Sequence, residues 1–337
     1  MSEGPQNQVC PVCGSRETKP VESYLDPVGG KRYDLLACGG CALVYAWPLL
    51  FPGGDWYEKY NYVGGYAETA AQASKTDFSY FLDRLPEPRR GRLLDIGCAA
   101  GHFLRMAAGR GYDVEGLEVD ERFVKMARDS GLTGVRKGLL DEAFARAHAG
   151  TYDVVSMLEV LEHVDDPRGF LSLAARVLKP GGRLLIAVPD NHRPTPFGRD
   201  QFDYPPHHLT RWGPRALRLA LERAGLRVDD LRAKPLPVID LSRIWADRTA
   251  QALLRLLKRV RYGGAAAARP MDEILAAEAS AGRPAALPDK AARLRLVFFY
   301  HAVFNAASYP LFGLMTLYYR LTRPDMGHTL LAIACKD

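Results

Sequence analysis

The sequence predicts an α/β fold in which a small cysteine-rich module precedes a sheet that binds a nucleotide-like ligand. Three observations predict this arrangement. Short apolar strands alternate with amphipathic helices between residues 91 and 235. The first of these strands, in residues 93–103, stops at two glycines and turns directly into a helix. Two Cys-x-x-Cys pairs come before it in the chain.

The composition is that of a folded protein. The chain has 337 residues, of which 47% are hydrophobic and 25% charged, so it can bury a sizeable core and is not disordered. Its net charge of +6 comes mostly from scattered arginines, which weakly indicates anionic partners and is a poor argument for nucleic acid. Because no apolar segment follows a basic start, we expect no secretory signal and a cytoplasmic protein.

The two cysteine pairs are Cys10/Cys13 and Cys38/Cys41. Each pair can supply two thiolates from one tight knuckle, and four thiolates form a tetrahedral zinc site. Two disulfides are a competing interpretation that a reducing compartment disfavours, and a redox role explains a duplicated pair less well than one metal does. We therefore expect a structural zinc in a ribbon of residues 1–45.

An aromatic segment follows the ribbon. Residues 46–66 carry many aromatic side chains with proline and glycine between them, and a linker would not normally expose so much aromatic surface. We expect this segment to pack on the next domain as a lid over its ligand cleft. A helix over residues 74–85 then leads into the first core strand, so that residues 46–90 form a lid and a linking helix.

The glycine turn after the first core strand predicts a cofactor site. Gly97 and Gly101 allow a sharp turn and a close approach of the backbone to a ligand, and the following helix offers free N–H groups at its N-terminus. The glycine spacing and the acid Asp95 at the strand end depart from the dinucleotide fingerprint, which argues against NAD.

An acid at the end of the second core strand predicts a ribose contact. One carboxylate can accept hydrogen bonds from both vicinal hydroxyls of a ribose, and Glu118 ends the strand that begins at Tyr112. Glu115 points to the other face of the strand, and Asp120 is better explained as the N-cap of the next helix.

Residues 152–167 form a second informative stretch. Asp153–Met157 is a buried strand, and Pro167 begins a helix behind Asp166 as its cap. The intervening Leu-Glu-Val-Leu-Glu-His-Val therefore lies on a loop at the carboxyl end of a strand, where open α/β sheets bind their ligands.

These stretches resemble a known family. Residues 93–103 resemble motif I of the class I S-adenosylmethionine-dependent methyltransferases, residues 152–167 resemble motif IV, and the Lys-Pro-Gly-Gly turn and strand of residues 179–188 continue the match in order. The resemblance implies a Rossmann-like seven-stranded sheet with its cofactor core in residues 91–235. The ribbon and aromatic segment resemble the front end of a bacterial branch of this family that carries a zinc module.

The resemblance also implies a set of cofactor contacts. In the family the glycine loop holds the methionine part of S-adenosylmethionine, and an acid such as Asp95 supports the loop or the sulfonium end, although a cap for the turn is an equal alternative here. Apolar residues hold the adenine, and Asp141 either reaches its amine or caps a helix. The implied cofactor residues are Asp95, Gly97, Cys98, Gly101, Phe103, Glu118, Val119, Leu139, Leu140, Leu158 and Glu159.

Three histidines are candidates for a general base. Methyl transfer from a sulfonium is an in-line displacement, and a hydroxyl or amine acceptor must lose a proton in it. Histidine has a suitable pKa, and the candidates in order are His208, His207 and His163. A Pro-His-His-Leu string before the next helix is a recurring feature of the branch that this chain resembles. A histidine that only packs or orients the loop is an equal alternative for each.

The C-terminal third predicts an insertion. Residues 326–337 fit the last, antiparallel strand of the family sheet, which makes residues 236–325 a helical insertion that covers the acceptor cleft. Its apolar stretch, residues 294–321, is interrupted by charged and polar residues and a proline, so two helices are preferred. A peripheral contact with the inner membrane face is the second interpretation, and a true membrane span is a distant third.

The predicted function is S-adenosylmethionine-dependent methyl transfer to a small-molecule, glycan-pathway or lipid-linked acceptor, at oxygen and with a histidine base. C- or N-methylation of a sugar nucleotide or natural product is one alternative. RNA methylation is another, but the ribbon lacks a basic cluster interleaved with aromatics, so no nucleic-acid partner is expected. A methyltransferase fold kept only for binding is a weak alternative, because the cofactor motifs are intact.

Overall fold

The computed structural model of this protein describes residues 8–26, 29–59, 75–85, 91–193, 199, 203–234 and 329–337, with isolated positions at 310, 313–314, 317–318 and 321. The predicted insertion and its apolar stretch 294–321 otherwise lie outside the described residues. The chain divides into one compact unit of residues 1–234 and 325–337 and a second unit of residues 235–324. Within the part that is described, no helix has both the length and the apolar character needed to cross a membrane.

Strands and helices alternate through the first unit. The strands are β1 Thr18–Leu25, β2 Arg32–Cys38, β3 Val44–Trp47, β4 Gly91–Ile96, β5 Tyr112–Glu118, β6 Val135–Lys137, β7 Tyr152–Leu158, β8 Leu178–Pro189, β9 Thr210–Arg211, β10 Leu226–Lys234 and β11 Thr329–Lys336. The helices are α1 Gly54–Lys59, α2 Lys75–Arg84, α3 His102–Ala108, α4 Glu121–Asp129, α5 Glu142–Ala147, α6 Pro167–Val177 and α7 Pro214–Arg223, with a 3₁₀ turn at Leu161–His163.

The larger sheet has seven strands in the order β10-β11-β8-β7-β4-β5-β6. The five strands from β8 to β6 in this order run parallel, and β11 is inserted antiparallel between β8 and β10. Its central strands are apolar on both faces because helices cover the sheet, as parallel sheets require. This confirms the predicted seven-stranded Rossmann-like sheet and its antiparallel last strand.

Side-chain caps place the helices that follow the parallel strands. Asp120 accepts a hydrogen bond from the N–H of Arg122, and Asp166 accepts one from Gly169 at 3.0 Å, each at the N-terminus of its helix. Asp141 accepts a hydrogen bond from the N–H of Phe144 at 2.7 Å. Asp141 therefore serves as the cap of α5, which is one of the two roles open to it from the sequence.

The smaller sheet joins the cysteine-rich module to a distant loop. Its strand order is β1-β2-β3-β9, and β9 lies more than 160 residues after β3 in the chain. Val44 pairs with Arg211, and the N–H of Ala46 donates to the carbonyl of Leu209 at 2.8 Å. The sequence did not predict this pairing. Because β9 directly follows His207 and His208, the module supports the loop that carries two of the candidate bases.

One hydrophobic core extends from the module into the larger domain. Val12 and Leu43 are fully buried in the same cluster as Trp212 and Leu217, which belong to the region of α7. The guanidinium of Arg223 at the end of α7 also donates to the carbonyl of Val12 at 3.1 Å. The module therefore packs on the sheet domain as part of a single core, rather than as a separate domain on a linker.

Candidate active site

A cavity of about 430 Å³ opens at the carboxyl ends of β4, β5 and β7. The residues that line it fall into two groups. We call the first the cofactor wall; it consists of Gly97, Ala99, Glu118, Val119, Leu139 and Leu140. We call the second the histidine wall; it consists of Phe51, Tyr57, Glu162, His163, His207 and His208.

The cavity contains most, but not all, of the residues selected from the sequence. All three candidate bases line it, as does Glu159. The predicted cofactor residues that do not line it are Asp95, Cys98, Gly101, Phe103 and Leu158. Four of these five are almost completely buried, so they pack beneath the site instead of facing it.

The glycine loop has a conformation that a side chain would disrupt. Gly97 has φ +69°, and a Cβ there would lie 2.6 Å from Cγ2 of Val160. Gly101 has φ +75°, and a Cβ there would lie 2.2 Å from Cδ1 of Leu132. Both positions need glycine, for the torsion and for the space. A backbone without Cβ atoms is what a cofactor needs to lie against the loop.

Two non-glycine residues near the cavity also have left-handed backbone torsions. Ala99 has φ 44° and Glu159 has φ 59°. Such torsions cost roughly 1–3 kcal/mol each and persist only where the surroundings hold them. Their position in the cavity lining is consistent with a site that orients its ligands through the backbone.

Glu118 connects the glycine loop to the second core strand. One carboxylate oxygen accepts from the N–H of Ala99 at 2.8 Å, and the other accepts from Val119 at 2.8 Å and Asp120 at 3.0 Å. Burial raises the pKa of Glu118, and these backbone donors oppose the rise. A carboxylate has about four acceptor directions, so Glu118 retains capacity for a ribose hydroxyl in the cavity.

Asp95 lies beneath the loop. Its side chain is 3% exposed, and the hydroxyl of Ser156 on β7 donates to it at 2.7 Å. Burial raises the pKa of Asp95 to about 7, although the hydrogen bond from Ser156 opposes the rise. Asp95 therefore tethers β4 to β7 just before the strand turns.

The histidine wall brings together two segments far apart in the chain. His163 ends the 3₁₀ turn after β7, while His207 and His208 precede β9. The N–H of Leu209 donates to the carbonyl of Glu162 at 2.8 Å, which holds the segments together. The ring centroids lie 4.6 to 4.9 Å apart, and each imidazole has a ring nitrogen within 4.8 Å of the others.

Hydrogen-bond acceptors orient two of the imidazoles. Nδ1 of His163 lies 2.6 Å from the carbonyl oxygen of His207, and Nδ1 of His208 lies 3.5 Å from a carboxylate oxygen of Asp203. Asp203 also pairs with Arg193. Burial opposes ionisation of Asp203, but His208 and Arg193 outweigh it and hold the pKa of Asp203 below its usual range.

Burial keeps these imidazoles neutral. It lowers the pKa of His208, which the Asp203 carboxylate opposes, and it lowers the pKa of His163 well below the usual value, with the other two histidines adding to the effect. A neutral imidazole can accept a proton or bind a metal. Sequence reasoning missed Asp203 and Arg193; the only indication was an acid shortly before the paired histidines.

Glu162 is an unusual member of the histidine wall. Its side chain is 1% exposed, and neither carboxylate oxygen has a hydrogen-bond partner among the described residues. Its Oε1 lies 3.8 Å from Nε2 of His163 and 3.9 Å from Nε2 of His208. Burial and the nearby charge of Glu159 raise the pKa of Glu162 well above its usual value.

Aromatic side chains from the predicted lid segment cover the histidines. The ring of Tyr57 meets His163 edge-on at 5.9 Å, and the ring of Trp56 lies 5.9 Å from that of His207. The N–H of Phe51 donates to Asp165 at 3.0 Å. The rest of the lid, residues 60–74, lies outside the described residues.

The four cysteines of the module converge at a separate point. Sγ of Cys10 lies 3.6 Å from that of Cys41, Sγ of Cys13 lies 3.3 Å from that of Cys38, and all four sulfurs lie within 4.8 Å of one another. None forms a disulfide. Thiolates bound to zinc at about 2.3 Å are spaced about 3.8 Å apart in a tetrahedron, so this arrangement fits the ion.

Comparison with known proteins finds matches to the larger domain. Residues 66–231 match the family model of a methyltransferase domain. A ubiquinone biosynthesis O-methyltransferase of Thiobacillus denitrificans is 39% identical over 101 residues, which are 29% of this chain and 44% of that protein. The enzyme of the same name from Pectobacterium atrosepticum is 38% identical over 101 residues, which are 42% of its length. The chain thus spans less than half the length of these curated relatives.

A solved structure is similar to this chain at a lower level. An S-adenosylmethionine-dependent methyltransferase of Thermotoga maritima, described as a possible histamine N-methyltransferase, aligns with 54% of this chain and 86% of its own. The sequence identity is 22% and the TM-score is 0.45.

Proposed function

We propose that this chain transfers a methyl group from S-adenosylmethionine to an oxygen atom of a small-molecule acceptor, because residues 66–231 match the family model of a methyltransferase domain. One observation carries the proposal. A single cavity is lined both by a glycine-loop wall suited to the cofactor and by three imidazoles. The names of the O-methyltransferase relatives support oxygen as the accepting atom.

The residues of the cofactor wall fit S-adenosylmethionine. The loop at Gly97 leaves room for the methionine part, Glu118 can accept from the ribose hydroxyls, and Leu139 and Leu140 provide an apolar surface for the adenine. The bound cofactor supplies an electrophilic methyl group on a sulfonium. Asp95, Cys98, Gly101, Phe103 and Leu158 would support this wall from beneath.

A histidine of the histidine wall would accept the proton of the acceptor hydroxyl. His208 is the first candidate, because Asp203 holds its Nδ1–H and leaves Nε2 as the proton acceptor. His207 and His163 are the alternatives. Phe51 and Tyr57 would exclude water from the acceptor, and they give it an apolar surface on which an aromatic or other apolar group can lie.

We further propose that Cys10, Cys13, Cys38 and Cys41 bind a structural zinc ion. Four thiolates leave no coordination position open for a substrate, so the ion would have no catalytic role. It would hold β2 and β3 in place, and β3 in turn pairs with β9 below the paired histidines.

Calorimetry with S-adenosylmethionine and a transfer assay with its methyl-labelled form test the proposal on the full chain. The acceptors would be small phenols, sugar nucleotides and lipid-linked alcohols. We expect micromolar cofactor binding and labelled product from one class. No cofactor binding by a folded, zinc-loaded sample would contradict the proposed function.

Substitution of His208 tests the base. We expect H208A to lower kcat about a hundredfold or more, with cofactor affinity changed less than about twofold, since general bases contribute at least that factor. H192A is the matched control, because His192 is half-exposed and does not line the cavity. An unchanged rate in H208A would exclude it as the base.

A further inference from the structure

The histidine wall has more ligand atoms than a general base needs. A single imidazole with its orienting acid is sufficient for proton transfer. Here three imidazoles have ring nitrogens within 4.8 Å of one another, and the buried carboxylate of Glu162 lies among them. All four side chains line the same cavity.

The hydrogen-bond geometry determines which nitrogen of each ring carries its proton. Nδ1 of His163 lies 2.6 Å from a carbonyl oxygen, which can only accept, so this nitrogen must donate. Nδ1 of His208 faces the carboxylate of Asp203, which is paired with Arg193 and likewise accepts. In the neutral rings Nε2 is then the lone-pair atom, in both cases on the side of Glu162.

Three lone-pair donors therefore converge. Oε1 of Glu162 lies 3.8 Å from one Nε2 and 3.9 Å from the other, and it has no hydrogen-bond donor among the described residues. A buried carboxylate without a partner is costly, and acceptors that face one another repel unless a proton or a cation lies between them. The site is arranged to hold a positive charge.

We propose that Glu162, His163 and His208, with His207 as a further ligand, bind a divalent transition-metal cation. Imidazoles together with one carboxylate favour zinc, iron or manganese over magnesium or calcium, which prefer all-oxygen sites. Nitrogen and oxygen ligands at about 2.0–2.2 Å lie roughly 3.0–3.5 Å apart. The two Oε1–Nε2 distances of 3.8 and 3.9 Å would need to shorten by roughly half an ångström, and the imidazole nitrogens, which lie within 4.8 Å of one another, would need to approach by up to about 1.5 Å.

The hydrogen bonds around the histidines are of the kind that commonly orient metal-binding histidines. A histidine ligand commonly donates its second ring N–H to a carboxylate or a backbone carbonyl, which fixes the tautomer and aims the other nitrogen at the metal. His163 has the carbonyl of His207 in this position, and His208 has Asp203. Arg193 holds Asp203 in turn.

This inference rests on the proposed function and replaces its histidine base with a bound cation. With the cation bound, the imidazoles would act as ligands, and the acceptor hydroxyl would bind the ion and lose its proton to bulk water before Phe51 and Tyr57 exclude solvent from the site. The oxygen then forms its bond to the methyl carbon, while the carbon–sulfur bond breaks and its electron pair stays on sulfur. The cation would also orient an acceptor with two adjacent oxygen atoms, such as a catechol, so that one of them faces the methyl group.

Metal analysis of the full chain tests the site without an activity measurement. The protein would be dialysed against zinc, then against metal-free buffer, and its zinc content measured by plasma mass spectrometry. We expect two equivalents in the parent chain, one of them in the cysteine site, and one equivalent in E162Q and H163A. H192A is the matched control and should retain two.

Cobalt substitution separates the two sites. Thiolate-to-cobalt charge-transfer bands report only the cysteine site, so their retention in E162Q and H163A would show that these variants are folded. The weaker ligand-field bands of the second ion should be lost in both. If one variant fails to fold, the other still gives the result.

Two results would overturn the metal site. One is a parent chain that holds a single equivalent under zinc, cobalt and manganese alike. The other is a second equivalent that persists in both variants. Cofactor binding and methyl transfer are measured separately, so an active enzyme with one metal would reject this inference and leave the proposed function standing. A chain that holds two metals but does not bind the cofactor would support the metal site and reject the proposed function.

Discussion

The cofactor wall and the histidine wall are built in different ways. The glycine turn and the acid of the cofactor wall come from one short run of chain, β4 to β5, where glycine torsions and strand ends determine the geometry. The histidine wall comes from three segments, near residues 51–57, 162–163 and 203–208, that only tertiary contacts bring together. The first wall depends on local backbone conformation, and the second depends on packing between segments that are far apart in the chain. The histidine wall should therefore be the more sensitive to substitutions at residues outside it.

The two walls also differ in how their buried acids are satisfied. Glu118 accepts three backbone hydrogen bonds, so the cofactor wall is complete before a ligand binds. Glu162 has no hydrogen-bond partner among the described residues although it is even more deeply buried than Glu118. A satisfied acid makes a rigid surface, whereas an unsatisfied one gains stabilisation only when a cation or proton arrives. The histidine wall is therefore the part of the site that a ligand completes.

The largest expected effect comes from breaking the cysteine site. C38S should remove the zinc ion, loosen the β3–β9 pair and displace His207 and His208. We expect methyl transfer to fall more than about a hundredfold, while cofactor affinity changes less than about tenfold. A transfer assay and calorimetry measure the two effects.

C335S is the matched control for this prediction. Cys335 is also buried, but it lies on β11, away from the cysteine site, and should leave transfer and zinc content near those of the parent. Equal losses of cofactor affinity and of transfer in C38S would indicate a general loss of folding and would contradict a specific displacement of His207 and His208.

A smaller effect is expected from the cofactor wall. In G97A the new methyl group would clash with Val160, and alanine would also adopt a left-handed torsion that costs about 1–2 kcal/mol. We expect S-adenosylmethionine to bind about tenfold to a hundredfold more weakly, which calorimetry would measure, with the proposed second metal retained.

G150A is the control that separates the cost of the left-handed torsion from the effect of the steric clash in G97A. Gly150 has φ +61°, and no atom lies within 4 Å of the position that a new methyl group would take, so this variant shares the torsional cost without the clash. We expect its stability to fall and its cofactor affinity to stay unchanged. Equal cofactor affinities in G97A and G150A would count against a close approach of the ligand at Gly97.

A pH-dependent change in stability, with no change in the histidine wall, is expected at Asp95. Burial raises the pKa of Asp95 to about 7, so ionisation destabilises the folded state increasingly as the pH rises from about 4 to 7. D95N removes this penalty and keeps an oxygen for Ser156. We expect a gain of up to roughly 4 kcal/mol at pH 8, from about 1.4 kcal/mol per pKa unit, that disappears near pH 4. Melting curves across this range would measure it, and a pH-independent difference would contradict the assignment.

Local patterns in the sequence were enough to predict the glycine turn and the acid that ends the next strand. Gly97 and Gly101 precede a helix, and Glu118 ends the following strand, so period-two and period-3.6 patterns place them without knowledge of the fold. The cysteine spacing likewise predicted a four-sulfur cluster, and the final apolar strand predicted the antiparallel β11. Each of these conclusions depends on residues that are neighbours in the chain.

The histidine wall could be predicted only in part. The sequence selected the three histidines as residue types with a suitable pKa, but the acid that orients His208 and the unsatisfied carboxylate beside them became evident only in the folded chain. Hydrogen bonds such as that from Leu209 to Glu162 join residues more than forty positions apart. A pattern of neighbouring residues does not show which residues so far apart in the chain come into contact.

The sequence by itself therefore determined the order of the elements, the glycine turn and the sets of cysteines and histidines available for chemistry. Only the tertiary structure decided that the cysteine-rich module contributes a strand beneath the histidines and that Glu162 is buried among them. The physical reason is that backbone torsion and side-chain periodicity act over a few residues. Strand pairing and burial depend on which distant segments the core brings into contact.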